Sequence, residues 1–257
     1  MVITDLDRSL LNNDRKISDY TIKVFEKLKQ KDIKIVFATA RPLRNTLELF
    51  NSIMPDASIC HCGAIVYIGT NPIFQKGIEV NIGKNIIENI LKDYPKINYG
   101  FEIEEIFYTN FDTKIYWNNV PFEDINLYKI PQKSIFKIIV GLEKIGNVNE
   151  IKKYLSDELY FEVMDEKICL IMNKNANKWN GIMELLKYYD IDRMNTIAFG
   201  DDNVDIEMIE NCGIGVAMGN GTCEIKNKAK HICANNNEDG VGKWIEENIL
   251  EKGQNSI

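Results

Sequence analysis

The sequence Val2-Ile3-Thr4-Asp5-Leu6-Asp7 begins with a short β-branched run and ends with two carboxylates separated by one residue. The run from Val2 to Thr4 is typical of a buried parallel strand. In an extended backbone alternate side chains point to the same side, so Asp5 and Asp7 are expected to lie together at the strand end. Two neighbouring carboxylates repel each other unless a cation neutralises them, and hard oxygen ligands of this kind suit Mg²⁺.

Strand and helix patterns alternate after this first strand. The N-terminal part predicts a helix from a Ser18 cap to about Gln30, a strand at 34–38, a helix starting at Pro42 with Leu43, Leu47, Phe50 and Ile53 on one face, and a strand at 58–62. The C-terminal part predicts helices at 178–189, 204–211, 223–229 and 241–250, and strands at 196–199, 214–218 and 231–234. This order predicts an α/β fold, a Rossmann-like parallel sheet covered by helices, which binds ligands at the carboxyl ends of its strands.

The middle of the chain has a different pattern of predicted strands and helices. Longer strand patterns at 98–103, 114–117 and 135–142 are mixed with helical patterns at 84–94 and 147–155. We therefore expect residues 68–172 to form an α+β domain inserted into a discontinuous core of residues 1–67 and 173–257. Tryptophans are expected to pack, although Tyr116 or Trp117 of the insertion could touch a substrate.

Composition excludes several classes of protein. Hydrophobic residues make up 45% and charged residues 27% of 257 residues, which is ordinary for a globular chain. The net charge of -7, from 31 basic and 38 acidic residues, disfavours nucleic acid as a partner. No secretion signal pattern or bilayer-length apolar run is present in the sequence, so we expect a cytoplasmic location and no membrane partner. As a separate expectation, the protein is a monomer or weak homodimer. The six cysteines are expected to be reduced, and Cys60-His61-Cys62 to be buried rather than metal-binding.

A second acidic cluster follows the predicted strand at 196–199. Asp201, Asp202 and Asp205 come after the turn residue Gly200 and would lie at the same sheet edge as Asp5. Considered alone, such acids are more typical of helix caps than of a metal site. Thr39 alone would be interpreted as the cap of the following helix, and Lys178 alone as a surface lysine. Only the joint pattern favours a site.

Phosphoryl transfer gives each of these residues a role. A phosphoryl group needs an in-line nucleophile, donors for its oxygens and balancing positive charge. Asp5 would attack phosphorus, and Asp7 would protonate the leaving oxygen and later activate water. Mg²⁺ would be held by Asp5, Asp7 through its backbone carbonyl, Asp201 and Asp205, while Thr39 and Lys178 would bind phosphate oxygens.

The ordered motifs resemble those of the haloacid dehalogenase superfamily. They are ITDLDRSLL at 3–11, ATAR at 38–41, NANKWNGI around Lys178 and GDDNVDIEM at 200–208, with CGA at 62–64 and EDGV at 238–241 typical of the Cof-type branch. The resemblance covers nearly the whole chain and implies a class IIB cap domain in the insertion. It also implies a Mg²⁺-dependent phosphatase of a small phosphorylated metabolite, a sugar phosphate by default. The substrate-binding residues that it implies are Leu6, Arg8, Ser9, Thr39, Ala40, Arg41, Lys178 and Asn203.

Four positions depart from the family pattern. Arg8 and Ala40 stand where glycine is usual, Val204 stands where an asparagine is usual, and Cys62 replaces the asparagine of the branch's SNGA motif. Asn203 could compensate for Val204 if its loop shifts. For Arg41, a phosphate contact and a surface ion pair are equally expected. The departures leave two alternatives to a phosphatase open: a phosphate-ligand sensor on the same fold, and a phosphomutase.

Overall fold

The computed structural model describes residues 1–117 and 120–251. The chain divides into two compact units, one of Met1–Phe74 with Asn177–Ile257 and one of Gln75–Ala176. The second unit starts later than the expected residue 68, because the chain first adds two more strands to the large sheet. Residues 252–257 of the expected core and 118–119 of the expected insertion lie outside the described residues.

The first unit is built on an eight-stranded sheet. Before the insertion it contributes strands β1 (Val2–Thr4), β2 (Ile35–Ala38), β3 (Ala57–Cys60), β4 (Ile65–Ile68) and β5 (Asn71–Gln75), and helix α1 (Asp19–Gln30). The second unit holds helix α2 (Val80–Asp93) and strands β6 (Tyr99–Ile103), β7 (Ile106–Thr109), β8 (Glu123–Asp124), β9 (Ile135–Gly141), β10 (Leu159–Met164) and β11 (Ile168–Asn173). The chain then returns with helices α3 (Lys178–Tyr189), α4 (Ile206–Asn211), α5 (Cys223–Lys228) and α6 (Gly240–Ile245), and strands β12 (Ile197–Gly200), β13 (Ile214–Ala217) and β14 (His231–Ile232).

The strand order of the large sheet is β14-β13-β12-β1-β2-β3-β4-β5. The six strands from β14 to β3 are parallel, and β4 pairs antiparallel with β3. Thr4 of the central strand is level with Phe37 of β2 and with Phe199 of β12. Asp5 therefore leaves the sheet beside the carboxyl ends of β2 and β12, as the α/β pattern predicts for a ligand-binding edge.

Alternation along the strands gives each face of this sheet its own core. Val2, Phe37 and Phe199 face the layer of α1 and α6, where Phe199 meets Trp244 edge to face at 5.4 Å. Ile3 and Ala198 face the opposite layer, which α3 and α4 cover with apolar side chains. Strands β1, β2 and β3 are buried at every position, which explains why their sequences are mostly apolar.

Some elements differ from the sequence-based expectation. The helix expected from Pro42 is instead two short 3₁₀ segments, Leu43–Asn45 and Leu47–Asn51. Thr46 lies between them, and its hydroxyl donates to the Leu43 carbonyl at 2.8 Å, a local bond that competes with helix continuation. The strand expected at 114–117 is wrong as well: Asp112 caps a 3₁₀ turn at Thr113–Ile115 by accepting from the Lys114 amide at 3.0 Å.

The second unit is a six-stranded sheet in the order β10-β11-β9-β6-β7-β8. All its pairings are antiparallel except β7 with β8. Apolar side chains of α2 pack on one face, while Tyr116 and Trp117 join Phe107 and Phe111 in an aromatic cluster. The helix expected at 147–155 is a 3₁₀ helix at Val148–Tyr154.

The cysteines and the membrane expectation complete the fold. The structure pairs none of the six cysteines in a disulfide, and the reduced state of the set stays a prediction. Within residues 1–117 and 120–251, no helix is both long and apolar enough to cross a membrane.

Candidate active site

Asp5 lies at the centre of the ligand-binding edge, directly after β1. Its backbone amide donates to the Phe199 carbonyl at 2.9 Å, so the neighbouring strand holds it in place. The residue is only 6% exposed. A carboxylate at that depth needs compensating positive charge or hydrogen bonds.

The second acidic cluster folds back onto the same edge after β12. Oδ2 of Asp205 accepts from the backbone amides of Asp201, at 3.0 Å, and Asp202, at 3.3 Å. These bonds belong to a capping box in which Asp202 caps the turn leading into α4. The capping interpretation and the site interpretation of this cluster are therefore compatible, because the capping bonds are what orient Asp205 inward.

Lys178 joins the two acidic segments. It is the first residue of α3, whose N-cap Asn177 accepts from the Asn180 amide at 2.8 Å. Its Nζ donates to Oδ1 of Asp5 at 2.7 Å and to Oδ1 of Asp205 at 2.6 Å. The lysine is 2% exposed, so this is a buried, charge-assisted bridge between carboxylates 200 residues apart in sequence.

Three carboxylates in this cluster are placed to share a cation. Asp5, Asp201 and Asp205 are all buried and each offers an oxygen within 4.8 Å of the others. Two cations do not balance them: Lys178 bonds Asp5 and Asp205, and the largely exposed Arg8 lies 3.7 Å from Asp201. An all-carboxylate donor set with surplus negative charge fits a hard divalent cation.

The pKa values of these groups reflect their burial first and their mutual repulsion second. Burial, opposed by Lys178 and reinforced by Asp205, raises the pKa of Asp5 to about 7. Burial and the neighbouring Asp205 likewise raise the pKa of Asp201 to about 6. Burial alone would lower the pKa of Lys178, but its two carboxylate partners raise it above the usual value, so the lysine stays charged.

These shifts predict how the metal-free protein responds to pH. Folded Asp5 holds its proton up to about pH 7, whereas the unfolded chain loses it near the ordinary value of 3.8. Between these values the folded state binds more protons, so stability falls as pH rises. In excess chelator, the wild-type protein should have a lower Tm at pH 8 than at pH 5.5 once the pH dependence of an Asp5→Asn variant is subtracted. A Tm difference between wild type and variant that does not change with pH would contradict the buried charge of Asp5.

Asp7 lies outside the three-carboxylate cluster. Its two side-chain oxygens accept from Arg41, with the Nε bond at 2.7 Å and the second bond formed by an Nη, and the Asp7 side chain is half exposed. Arg41 is held by the Asn45 carbonyl as well, at 3.3 Å. Of the two roles expected for Arg41, the structure therefore presents the ion pair, and its partner is the residue assigned to acid-base chemistry.

Arg8 and Ser9 both contact Asp201 in this structure, although they were expected from the sequence to bind the substrate. The Ser9 hydroxyl donates to Oδ1 of Asp201 at 3.1 Å, and Arg8 Nε lies 3.7 Å from Oδ2. Arg8 adopts a φ of 63°, the left-handed conformation that glycine tolerates best at this position. The amide of Asn220 supports that turn by donating to the Arg8 carbonyl at 2.8 Å.

The remaining expected residues divide between the edge and the core. The backbone amide of Thr39 donates to the Ile59 carbonyl at 2.8 Å, and its hydroxyl accepts from the Arg41 amide at 3.1 Å. Ala40 is exposed beside it. The side chain of Leu6 is fully buried in the core, so only its backbone is available to a ligand. The amide oxygen of Asn203 accepts from the Thr222 hydroxyl at 3.1 Å, which ties it down rather than aiming it at the cluster.

Comparison with known proteins decides the family. The model of the haloacid dehalogenase-like hydrolases matches residues 2–245, which is nearly the whole chain. The chain belongs to this family. The resemblance drawn from the motifs is thereby confirmed, and so are the α/β fold and the assignment of the chain as an enzyme of the phosphatase type.

Relatives of this haloacid dehalogenase-like hydrolase match over nearly their full length. A Bacillus subtilis protein named 5-amino-6-(5-phospho-D-ribitylamino)uracil phosphatase YitU is 27% identical over 267 residues, covering 96% of each chain. The crystal structure of TM0651 from Thermotoga maritima is 24% identical with a TM-score of 0.86, covering 96% of each chain. The subclass IIB sugar phosphatase BT4131 is 23% identical with a TM-score of 0.79, covering 96% of this chain and 97% of its own. At these identities the two structures show the fold alone.

Sequence reasoning missed some residues that shape the hydrolase's site. Asn220, which supports the Arg8 turn, and Asn177, which caps the helix of Lys178, were not singled out. Asn177 carried a readable signal, since an asparagine just before a helical pattern is typical of an N-cap. Asn220 carried none, because its partner lies 212 residues away.

Proposed function

We propose that this enzyme is a Mg²⁺-dependent phosphomonoester hydrolase that acts on a small phosphorylated metabolite, foremost a sugar phosphate, through an aspartyl phosphate on Asp5. The observation that carries the proposal is the buried bridge from Asp5 through Lys178 to Asp205, with Asp201 beside it. A nucleophilic carboxylate, a fixed cation and a metal-fitting donor set are the parts that phosphoryl transfer requires.

In the first step an oxygen of Asp5 attacks phosphorus and forms an acyl phosphate. The bond from phosphorus to the leaving oxygen breaks, and that oxygen takes a proton from Asp7. Lys178 and the Thr39 hydroxyl donate to the phosphoryl oxygens, and the fixed lysine charge stabilises the negative charge that develops there. Lys178 can donate to the phosphoryl oxygens with little movement, because Asp205 already orients its ammonium group.

In the second step water attacks the phosphorus of the acyl phosphate and gives a proton to Asp7. Inorganic phosphate leaves, and the Asp5 carboxylate is restored. The ion pair with Arg41 occupies both Asp7 oxygens in the structure, so before the first step Asp7 has to leave this partner and take up from solvent the proton that it then gives to the leaving oxygen. A phosphate dianion competes well for a guanidinium, and the arrival of substrate therefore frees Asp7 for proton transfer.

A bound Mg²⁺ would be held by Asp5, Asp201 and the Asp7 carbonyl, and it would supply positive charge to the transferring phosphoryl group. Asp205 has a different role in this proposal from the one expected from the sequence. Its two oxygens already accept from Lys178 and from two backbone amides, so it positions the lysine and the loop rather than serving as a direct ligand.

The substrate class has support from named relatives only. YitU acts, by its name, on a phosphorylated ribitylamino compound, and BT4131 is named a sugar phosphatase. A screen should therefore include hexose and pentose phosphates, polyol phosphates and 5-amino-6-(5-phospho-D-ribitylamino)uracil. That the insertion expected at residues 68–172 selects among them stays a prediction. The monomer or weak homodimer, the cytoplasmic location and the absence of nucleic-acid partners stay predictions as well.

The proposal predicts metal-dependent turnover of p-nitrophenyl phosphate. Purified protein should release nitrophenol with added Mg²⁺ and lose that activity in excess chelator, and Mg²⁺ should restore it. The sensor alternative would be favoured if the protein binds inorganic phosphate but releases neither nitrophenol from p-nitrophenyl phosphate nor phosphate from the metabolite panel. Transfer of labelled phosphate between two positions of one sugar, faster than its release, would favour the phosphomutase alternative.

A further inference from the structure

Three consecutive residues after β3 have left-handed backbone conformations. The φ angles of His61, Cys62 and Gly63 are 50°, 59° and 108°. All three residues are buried. Side chains other than glycine rarely adopt this conformation, and a run of it persists only where the surrounding structure enforces it.

One side of this segment is bound to the loop that carries Thr39. The Cys62 amide donates to the Thr39 carbonyl at 3.0 Å, and the His61 amide donates to the Arg41 carbonyl at 3.0 Å. These two bonds set the path of the segment across the carboxyl end of β2. A residue assigned to phosphate binding is thus linked to the segment through the backbone.

The other side of the segment presses on the residue before Lys178. A Cβ added to Gly63 would lie 2.0 Å from the carbonyl oxygen of Asn177 and 2.2 Å from its carbonyl carbon. That carbonyl accepts from the Gly181 amide at 3.2 Å, within the first turn of α3. Any displacement of the Asn177 backbone therefore moves the first turn of the helix, and Lys178 is its first residue.

We infer that His61–Gly63 is a positioning segment that fixes the distance between Thr39 and Lys178, with Gly63 as its positioning residue. The inference rests on the proposed function in its assignment of these two residues to one phosphoryl group. Lys178 Nζ bonds Asp5 and Asp205 at 2.7 and 2.6 Å, so a shift of a few tenths of an ångström in its backbone weakens at least one bond. A side chain at position 63 produces such a shift, because backbone rather than a flexible side chain stands in its way.

The test compares Gly63→Ala with Gly69→Ala. Gly69 also has a positive φ, of 59°, but a Cβ there meets nothing within 4 Å, so this variant carries a milder backbone strain and no collision. In Gly63→Ala we expect kcat to fall by roughly 10²-fold, as misplaced catalytic groups do, with a smaller change in KM. The dissociation constant for orthovanadate, measured by calorimetry, should rise by at least about tenfold. Gly69→Ala should keep wild-type values of both.

A second pair of variants covers the case in which Gly63→Ala fails to fold. Cys62→Asn introduces a residue that tolerates the left-handed conformation, so this variant should retain wild-type kcat and vanadate affinity. Cys62→Val disfavours that conformation and should weaken vanadate binding without a collision at Asn177. Wild-type vanadate affinity in both Gly63→Ala and Cys62→Val, or equal losses in Gly63→Ala and Gly69→Ala, would overturn the inference. Absence of turnover in the wild-type protein would remove the proposed function, whereas the vanadate comparison would still decide this inference.

Discussion

Replacing Asp5 by asparagine is expected to lower kcat by at least ~10⁴-fold, since loss of a nucleophile removes the covalent route as a whole. The amide cannot attack phosphorus, although it keeps the size of the carboxylate. The measurement is hydrolysis of p-nitrophenyl phosphate at saturating Mg²⁺, with the fold checked by circular dichroism. Asp14→Asn, a change at an exposed loop aspartate, is the matched control and should retain full activity.

The same substitution should stabilise the metal-free protein at pH 8. Burial and two neighbouring carboxylates raise the pKa of Asp5, so its charged form is unfavourable in the folded state. A neutral side chain removes that cost, and the Tm in chelator should be at or above the wild-type value. An inactive variant that also unfolds more easily would indicate a structural role for Asp5, and substantial turnover in Asp5→Asn would contradict its assignment as nucleophile.

Replacing Lys178 by methionine is expected to have the largest effect on stability. The change leaves Asp5 and Asp205 buried without their shared cation, and breaking a buried ion pair in this way costs about 3–5 kcal/mol in the free energy of unfolding. Activity should fall by at least ~10²-fold as well, because the donor to the phosphoryl oxygens is lost. Urea unfolding in chelator and steady-state kinetics measure the two effects.

A double-mutant cycle identifies the cause of that loss. Adding Asp205→Asn to Lys178→Met removes one stranded charge, so the double variant should be more stable than the sum of the single changes implies. Lys187→Met on the same helix is the control: its side chain is 72% exposed and pairs with Glu184 on the surface, so it should change stability by less than about 1 kcal/mol. Additive losses across the cycle would show that Lys178 and Asp205 do not act as a pair.

The parts of the fold that were predictable are those in which pattern and burial agree. The strands at Val2–Thr4 and Ile35–Ala38 are buried on both faces, so their apolar runs had one interpretation. The segment after Pro42 shows the opposite case. Leu43, Leu47 and Phe50 have helical spacing, yet the Thr46 hydroxyl closes a local turn, and Leu47 ends largely exposed. Hydrophobic period does not report such side-chain competition.

The site was predictable where the fold's topology does the work. Because parallel strands end at one edge, Asp5 and Asp201 could be brought together from sequence alone, and the structure does bring them together. Lys178, at the start of a helix, was placed with them only by the joint pattern, and it does bond Asp5. The partners of Asp7, Ser9 and Arg8 were not predictable. They depend on which rotamer each side chain adopts and on contacts between distant loops, and no spacing rule encodes either.

The direct test of the account is Mg²⁺ binding to the carboxylate cluster, measured by calorimetry on the metal-free protein at pH 7.5. We predict that one Mg²⁺ binds per chain. Binding should be strongly weakened in Asp201→Asn and Asp5→Asn, which should also lose turnover, and it should be unchanged in Asp14→Asn. Because the bound cation requires ionised carboxylates, the affinity should fall as pH drops below about 7, the value to which the Asp5 pKa is raised. Full turnover in the presence of chelator, or Mg²⁺ binding that survives loss of both carboxylates, would contradict the claim that Asp5 and Asp201 serve a single cation.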